Sequence, residues 1–256
     1  MSGGGLRLAV TLLTAIPLDG LNGRGASGPA PSRRNAAAAM AWAPVVGLLL
    51  GAAAAGVIEL AARWGRTGPL LAAVLAVTAL ALLTRGLHLD GLADLADGLG
   101  SRRPADEALA IMKRSDIGPF GVVTLVFALL IQVAALAQAQ SLGRGVAAIV
   151  AAAVAGRLSL TWACRRGVPA ARGSGLGAMV AGTVNPVIPA VVTVAVLAAG
   201  YPFGLVIVVG MAAGLAVSLV VTAWAVRRLG GITGDVLGAL VEITVTVCLV
   251  VTAVRV

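Results

Sequence analysis

Seven apolar runs dominate the chain, at about 36 to 62, 69 to 88, 118 to 141, 146 to 164, 187 to 200, 204 to 226 and 236 to 254. An α-helix needs ~20 apolar residues to cross a bilayer, and most of these runs reach that length before Arg, Pro, Gly or Asp interrupts them. Apolar residues make up 59% of the sequence, charged residues only 11%, and the mean hydropathy is +1.02. Soluble domains carry roughly a quarter charged residues, so a water-soluble fold could not hide this surface. The expected fold is all-α: one integral membrane domain over residues 1–256, a polytopic helix bundle with about seven transmembrane helices. The 187 to 200 run is the shortest at 14 residues, and Tyr-Pro-Phe-Gly at 201 to 204 acts there as a kink or a turn. Residues 6 to 16 read as an interfacial or re-entrant helix, since no small-residue cleavage site follows them.

Arginine orients the chain. With the N-terminus cytoplasmic, thirteen basic residues fall on the cytoplasmic side (Arg7, Arg24, Arg33 and Arg34, then Arg102, Arg103, Lys113 and Arg114, then Arg165, Arg166 and Arg172, then Arg227 and Arg228). The opposite side holds four, Arg63, Arg66, Arg144 and Arg255. That bias follows the positive-inside rule. A net charge of +9 would suit nucleic acid, but one Tyr and three Phe provide no stacking platform, so nucleic acid is excluded as a partner. Cys164 and Cys248 lie in separate apolar runs without metal-ligand spacing and are expected to be inert core residues.

The acids are distributed very unevenly. Six of the ten, Asp90, Asp94, Asp97, Asp106, Glu107 and Asp116, fall within a cytoplasmic segment at 89 to 117. In His88-Leu-Asp-Gly-Leu-Ala-Asp-Leu-Ala-Asp-Gly, read as a continuation of the second span, helical spacing sets Asp90, Asp94 and Asp97 within roughly 60° of one another. Leu92, Leu95 and Leu99 cover the other side. Like charges at this spacing repel. A divalent cation offsets the repulsion, and Mg²⁺ typically takes one or two carboxylates together with substrate phosphates. Gly91, Ala93 and Gly98 leave room for a ligand beside the stripe; the alternative is a merely solvated acidic face. His88 points away from Asp90 on an ideal helix, which suits a structural hydrogen bond. Asp106 and Glu107 follow Pro104 and suit the first turn of a short helix. Asp116 lies in the turn leading back to the next span and could reach the same site.

A second acidic pair, Asp235 and Glu242, lies seven residues apart on one helix face, with Gly238 and Ala239 between them. Glu242 is two turns into an apolar run, where an ionisable side chain marks either a functional site or a partner for Arg157 or Arg85. Arg157 is itself mid-span, at a cost on the order of 2.5–3.5 kcal/mol before pairing, and it requires an anion, from substrate or from the protein. Carboxylates, a divalent metal, basic side chains and glycine-rich turns are the parts of phosphoryl transfer from a diphosphate donor. The only histidine is His88, so Ser-His-Asp and Cys-His catalysis are absent, as are P-loop and Rossmann fingerprints.

The same residues resemble the cobalamin synthase family, the adenosylcobinamide-GDP ribazoletransferases. The matching stretches are Leu-Leu-Thr-Ala-Ile-Pro near the N-terminus, Ala-Pro-Val-Val-Gly-Leu-Leu-Leu-Gly at 43 to 51, and Gly-Leu-His-Leu-Asp-Gly-Leu-Ala-Asp-Leu-Ala-Asp-Gly at 86 to 98. Further along, Ile-Met-Lys-Arg-Ser-Asp-Ile-Gly-Pro-Phe-Gly at 111 to 121 and Gly-Gly-Ile-Thr-Gly-Asp-Val-Leu-Gly-Ala-Leu-Val-Glu at 230 to 242 also match. The chain departs at Arg114-Ser115-Asp116, where the family pattern reads Asp-Ser-Arg.

The resemblance implies a multi-pass inner-membrane enzyme of the last steps of cobalamin assembly, with its active site facing the cytoplasm. It would join α-ribazole or its 5′-phosphate to adenosylcobinamide-GDP, releasing GMP and using Mg²⁺. Asp90, Asp94 and Asp97 would hold metal and diphosphate, with Asp116 beside them as a further catalytic candidate. His88, Arg102, Lys113, Arg114, Arg157, Asp235 and Glu242 are the candidates for contact with substrate. Membrane lipids are expected partners, and a homo-oligomer is open. Two other readings stay open at this point. Asp94-Leu-Ala-Asp97-Gly-Leu-Gly-Ser-Arg102 is similar to the first half of the CDP-alcohol phosphotransferase signature, which implies lipid synthesis. An ion-coupled transporter is the non-enzyme alternative.

Overall fold

A computed structural model describes residues 3–16 and 32–255; Pro17 and Arg24, used above, lie outside the described residues. The regular elements are helices: α1 (Gly3–Leu13), α2 (Arg33–Arg63), α3 (Pro69–Leu83), α4 (Leu87–Gly100), α5 (Ala105–Ile111) and α6 (Pro119–Ser141). They continue with α7 (Gly145–Ala163), α8 (Gly175–Val180), α9 (Val187–Gly200), α10 (Leu205–Leu229) and α11 (Gly234–Thr252). A single 3₁₀ turn at Tyr201–Phe203 joins α9 to α10. Extended pairing among the described residues is limited to two isolated bridges, Arg165 with Val184 and Ala170 with Ile232.

All seven apolar runs are helical, but they are not seven equivalent spans. Five helices, α2, α6, α7, α10 and α11, are each long and apolar enough to cross a membrane, whereas α3 and α4 pass that test only when taken together as a bent pair. The run at 187 to 200 yields a helix of only 14 residues. Burial separates the roles of the long helices: 72% of the apolar window of α7 is buried, against 22% for α6. Thus α7 is the centre of the bundle and α6 presents its surface to lipid. Small residues let the backbones meet. A Cβ on Gly51 of α2 would lie 2.9 Å from Val150 Cα of α7, and one on Gly214 of α10 would lie 2.7 Å from Thr244 O of α11. Cys164 and Cys248 are both free and buried, as their apolar settings suggest.

One sequence expectation is corrected. The acidic helix does not continue the second span: α3 ends at Leu83, and α4 departs at 88° to it. The turn is made by Arg85 and Gly86, with φ of 54° and 68°. Glycine takes this left-handed conformation freely, whereas arginine takes it against the contact of its own Cβ with the backbone. Hydrophobic periodicity is blind to such a change of axis, because the residues on both sides keep helical spacing. We therefore read α4 as lying outside the membrane-spanning segments.

Two glycines seat α4 on α11. A Cβ on Gly91 would lie 2.7 Å from Asp235 O, and one on Gly238 would lie 3.2 Å from His88 Cα. The acidic helix and the start of α11 are thus in backbone contact, which brings the two acidic motifs of the sequence together.

Candidate active site

Asp90 and Asp94, one turn apart on α4, open into a cleft of about 570 Å³. Asp116 and Arg114, from the turn before α6, and Arg85, from the α3–α4 bend, complete its charged lining. The cleft therefore gathers three carboxylates and two guanidinium groups in one lining. Reversing the order of charge in Arg114-Ser115-Asp116 leaves one acid and one base in this wall, since all three residues line it.

Negative charge accumulates behind the cleft as well. Burial is the first reason that Asp94 is raised from 3.8 to about 7, and the charge of Asp90 is the second. Asp235 and Asp97 add to the effect, while Arg172 opposes it. Asp235 is near because its backbone touches Gly91, and its own side chain is anchored. Arg172 Nη1 lies 3.5 Å from Asp235 Oδ2, and Thr233 Oγ1 donates to that oxygen at 3.2 Å. Thr233 also caps α11, accepting from Val236 N at 3.1 Å. Arg172 donates from its other terminal nitrogen to Leu109 O at 2.5 Å, tying the 164–186 segment to α5.

Asp97 shares the stripe of Asp90 and Asp94 but has different contacts. Its Oδ2 accepts from Gly118 N at 2.8 Å and its Oδ1 from Gly121 N at 2.9 Å, so the carboxylate caps α6. It is buried, and each oxygen keeps one lone pair beyond these bonds. An acid at a helix N-terminus is favoured by the free amides and by the dipole. Asp106 and Glu107 occupy the first turn of α5, with Glu107 paired to Arg103 at 3.3 Å.

The remaining candidates lie elsewhere. His88 and Arg157 are buried and do not line the cleft, and Arg157 Nη2 approaches His88 Nδ1 at 3.4 Å. Arg157 Nε has no partner among the described residues. Glu242 accepts from Gln132 Nε2 at 2.8 Å, and Gln132 also donates to Thr246 Oγ1 at 3.0 Å. Arg102, at φ 54° just past α4, and Lys113 are exposed and do not line the cleft. Sequence reasoning missed Gln132, which carries no charge to stand out in an apolar run. It placed Arg85 inside a span, although the glycine that follows it was a visible signal.

Among the described residues, no three His, Cys, Asp or Glu side chains converge closely enough to hold a metal ion alone. The donor set nevertheless fits a hard cation that keeps water and substrate oxygens in its shell. Asp90 and Asp94 supply carboxylate oxygens to an electronegative, open cleft, as Mg²⁺ sites typically do with one or two protein carboxylates.

Apolar spans, an acidic helix turned across one end of the bundle and a cleft lined by carboxylates and arginines define a multi-pass membrane protein with a charged cleft at that end. Residues 5–253 match the family model described as cobalamin-5-phosphate synthase, so the chain belongs to that family. It is 45% identical to the adenosylcobinamide-GDP ribazoletransferase of Frankia casuarinae, over 96% of this chain and 93% of the relative. Relatives of the same name from Nocardioides sp. and Bradyrhizobium diazoefficiens are 39% and 37% identical, each over 97% of this chain and over 98% and 92% of the respective relative. No solved structure matches the chain. The family membership and these names support an enzyme of cobalamin synthesis, a transferase in a membrane.

Proposed function

We propose that the protein transfers the phosphoryl-linked cobinamide of adenosylcobinamide-GDP to α-ribazole or its 5′-phosphate, releasing GMP. A ribose hydroxyl attacks the phosphorus attached to cobinamide, a new P–O bond forms, the diphosphate P–O bond breaks, and GMP leaves with the electron pair. The observation that carries this reading is the meeting of Asp90, Asp94 and Asp116 with Arg85 and Arg114 in the lining of one cleft.

Each group has a role suited to its chemistry. Asp90 and Asp94 hold Mg²⁺, with Asp97 behind them adding negative charge. When bound, the cation supplies neutralisation of the diphosphate and of the departing GMP. Arg85 and Arg114 grip phosphate oxygens, a task suited to the planar guanidinium. Asp116 is exposed and without a hydrogen bond or ion pair among the described residues, which leaves it free to receive the proton of the attacking hydroxyl. Asp235 and Arg172 fix the wall behind Asp94. Arg157 supports α4 through His88 from within the bundle, Glu242 ties α11 to α6 through Gln132, and Arg102 and Lys113 attract the anionic donor at longer range. The basic bias of the segments flanking the cleft supports a site that faces the cytoplasm from the inner membrane.

The test is GMP release by the purified protein from adenosylcobinamide-GDP and α-ribazole in the presence of Mg²⁺. CDP-diacylglycerol with an alcohol acceptor is the comparison. GMP release that needs both substrates and the cation is expected. CMP release from the second pair, with no GMP from the first, would replace this reading with lipid-type phosphotransfer.

A further inference from the structure

A second cleft, of about 820 Å³, lies apart from the acidic one, between the start of α2, the 164–186 segment and α9. Its lining is divided by chemistry. Arg33, Arg34 and Arg166 supply the charged part, while Val187, Ile188 and Val191 of α9 belong to the apolar wall. Among the described residues, no acidic one lines it. Arg33 donates to Ala181 O at 3.2 Å, but the side chains of Arg34 and Arg166 have no partner among the described residues.

Two arginines in the first turn of α2 stand at the positive end of a 31-residue helix whose first turn has no acid. This is the unfavourable end for a cation, so three positive charges and the helix terminus together call for an anion. The apolar wall specifies what the anion is attached to. Val187, Val191 and Val194 are 64%, 61% and 70% exposed, at spacings that place them on one face of α9. Exposed valines in a row on a bundle helix face hydrocarbon, so the cleft opens from its arginines directly onto lipid.

We propose that this cleft binds an anionic phospholipid, with its phosphate on Arg34 and Arg166 and an acyl chain against Val187, Ile188 and Val191. The segment that carries Arg166 also carries Arg172, the partner of Asp235, so the site lies at the same end of the bundle as the acidic cleft. On the cytoplasmic leaflet that end meets anionic headgroups, and each basic side chain near such a surface adds roughly a fivefold preference. The proposal rests on the membrane setting and the charge of the cleft, and not on which reaction the acidic site performs.

Native mass spectrometry of the full-length protein in a nonionic detergent tests it, with phosphatidylglycerol and phosphatidylcholine of the same acyl chains as probes. Phosphatidylglycerol adducts are expected at roughly tenfold lower lipid concentration. Arg34→Ala with Arg166→Ala abolishes the preference, and the corresponding double Lys variant keeps most of it. Val191→Trp, at an exposed position that tolerates bulk, blocks the apolar part and removes the adduct with the charges intact. Equal binding of the two lipids would overturn the proposal, as would an unchanged preference in the double Ala variant. Binding of sn-glycerol 3-phosphate as tight as that of the lipid would reduce the cleft to a phosphate site and overturn it too.

Discussion

Asp97 holds Gly118: the acid on α4 accepts the amide that begins α6 at 2.8 Å, and its second oxygen takes the Gly121 amide at 2.9 Å. One carboxylate thereby fixes the angle between the acidic helix and a lipid-facing span, and locates the turn that carries Asp116. Asp97→Asn keeps one acceptor oxygen, loses the other, and loses the charge. Capping bonds are worth ~1 kcal/mol and bonds to charged groups ~1.5–3 kcal/mol. We expect Asp97→Asn to lower stability by about 1–3 kcal/mol, read as a drop in the thermal unfolding midpoint in detergent. A midpoint equal to wild type would remove the cap from the account of α6.

Asp94→Asn separates from Asp97→Asn in the opposite sense. Removing a negative charge from beside Asp90 and Asp235 relieves repulsion, so stability should stay level or rise. GMP release should fall by at least ~100-fold, the lower range for loss of an essential acid–base or ion-binding carboxylate. Membrane insertion and unfolding are measured beside turnover. Near-wild-type turnover would remove Asp94 from the catalytic face.

The pH dependence follows from the raised Asp94. Its folded value of about 7 exceeds the ordinary 3.8, so between those values the folded protein binds more protons than the unfolded chain. Stability from this group is therefore greatest at low pH and is lost as pH rises toward 7. Without divalent cation the unfolding midpoint should fall across that window. Mg²⁺ competes with the proton, so its apparent affinity should rise with pH and level off above about 7. Titrations of the purified protein with Mg²⁺ at several pH values measure this directly. An affinity independent of pH would place the cation elsewhere.

Gly91→Ala tests the junction of the two acidic motifs. Its Cβ would come within 2.7 Å of Asp235 O, so α4 and α11 must separate. Overpacking of this kind costs ~1–3 kcal/mol. Activity should fall further than stability predicts, because Asp94 and Asp235 move relative to each other. The comparison of unfolding midpoints with kcat separates the two effects.

Much of this was legible in the sequence for physical reasons that differ by residue. Apolar runs of bilayer length fixed the helices, and spacing fixed the shared face of Asp90 and Asp94. The 88° turn was hidden, because periodicity records which residues share a face and is silent on the axis. Its one trace was Arg85-Gly86 inside an otherwise apolar run. Asp97 has the same spacing as its neighbours, yet its partners lie 21 and 24 residues further on, at a distance no helical count reaches. Gln132 gave no signal, since a lone neutral amide acquires its meaning from Glu242 and Thr246 on another helix.

The left-handed step at Arg85 and Gly86 decides how traffic through the enzyme is organised. For the proposed transfer, carboxylates carried crosswise let both reactants arrive from one aqueous compartment and both products return to it. That reaction then needs no passage through the protein's interior and no cycle of opposite-facing states, and the bilayer serves as the bench on which the work is held.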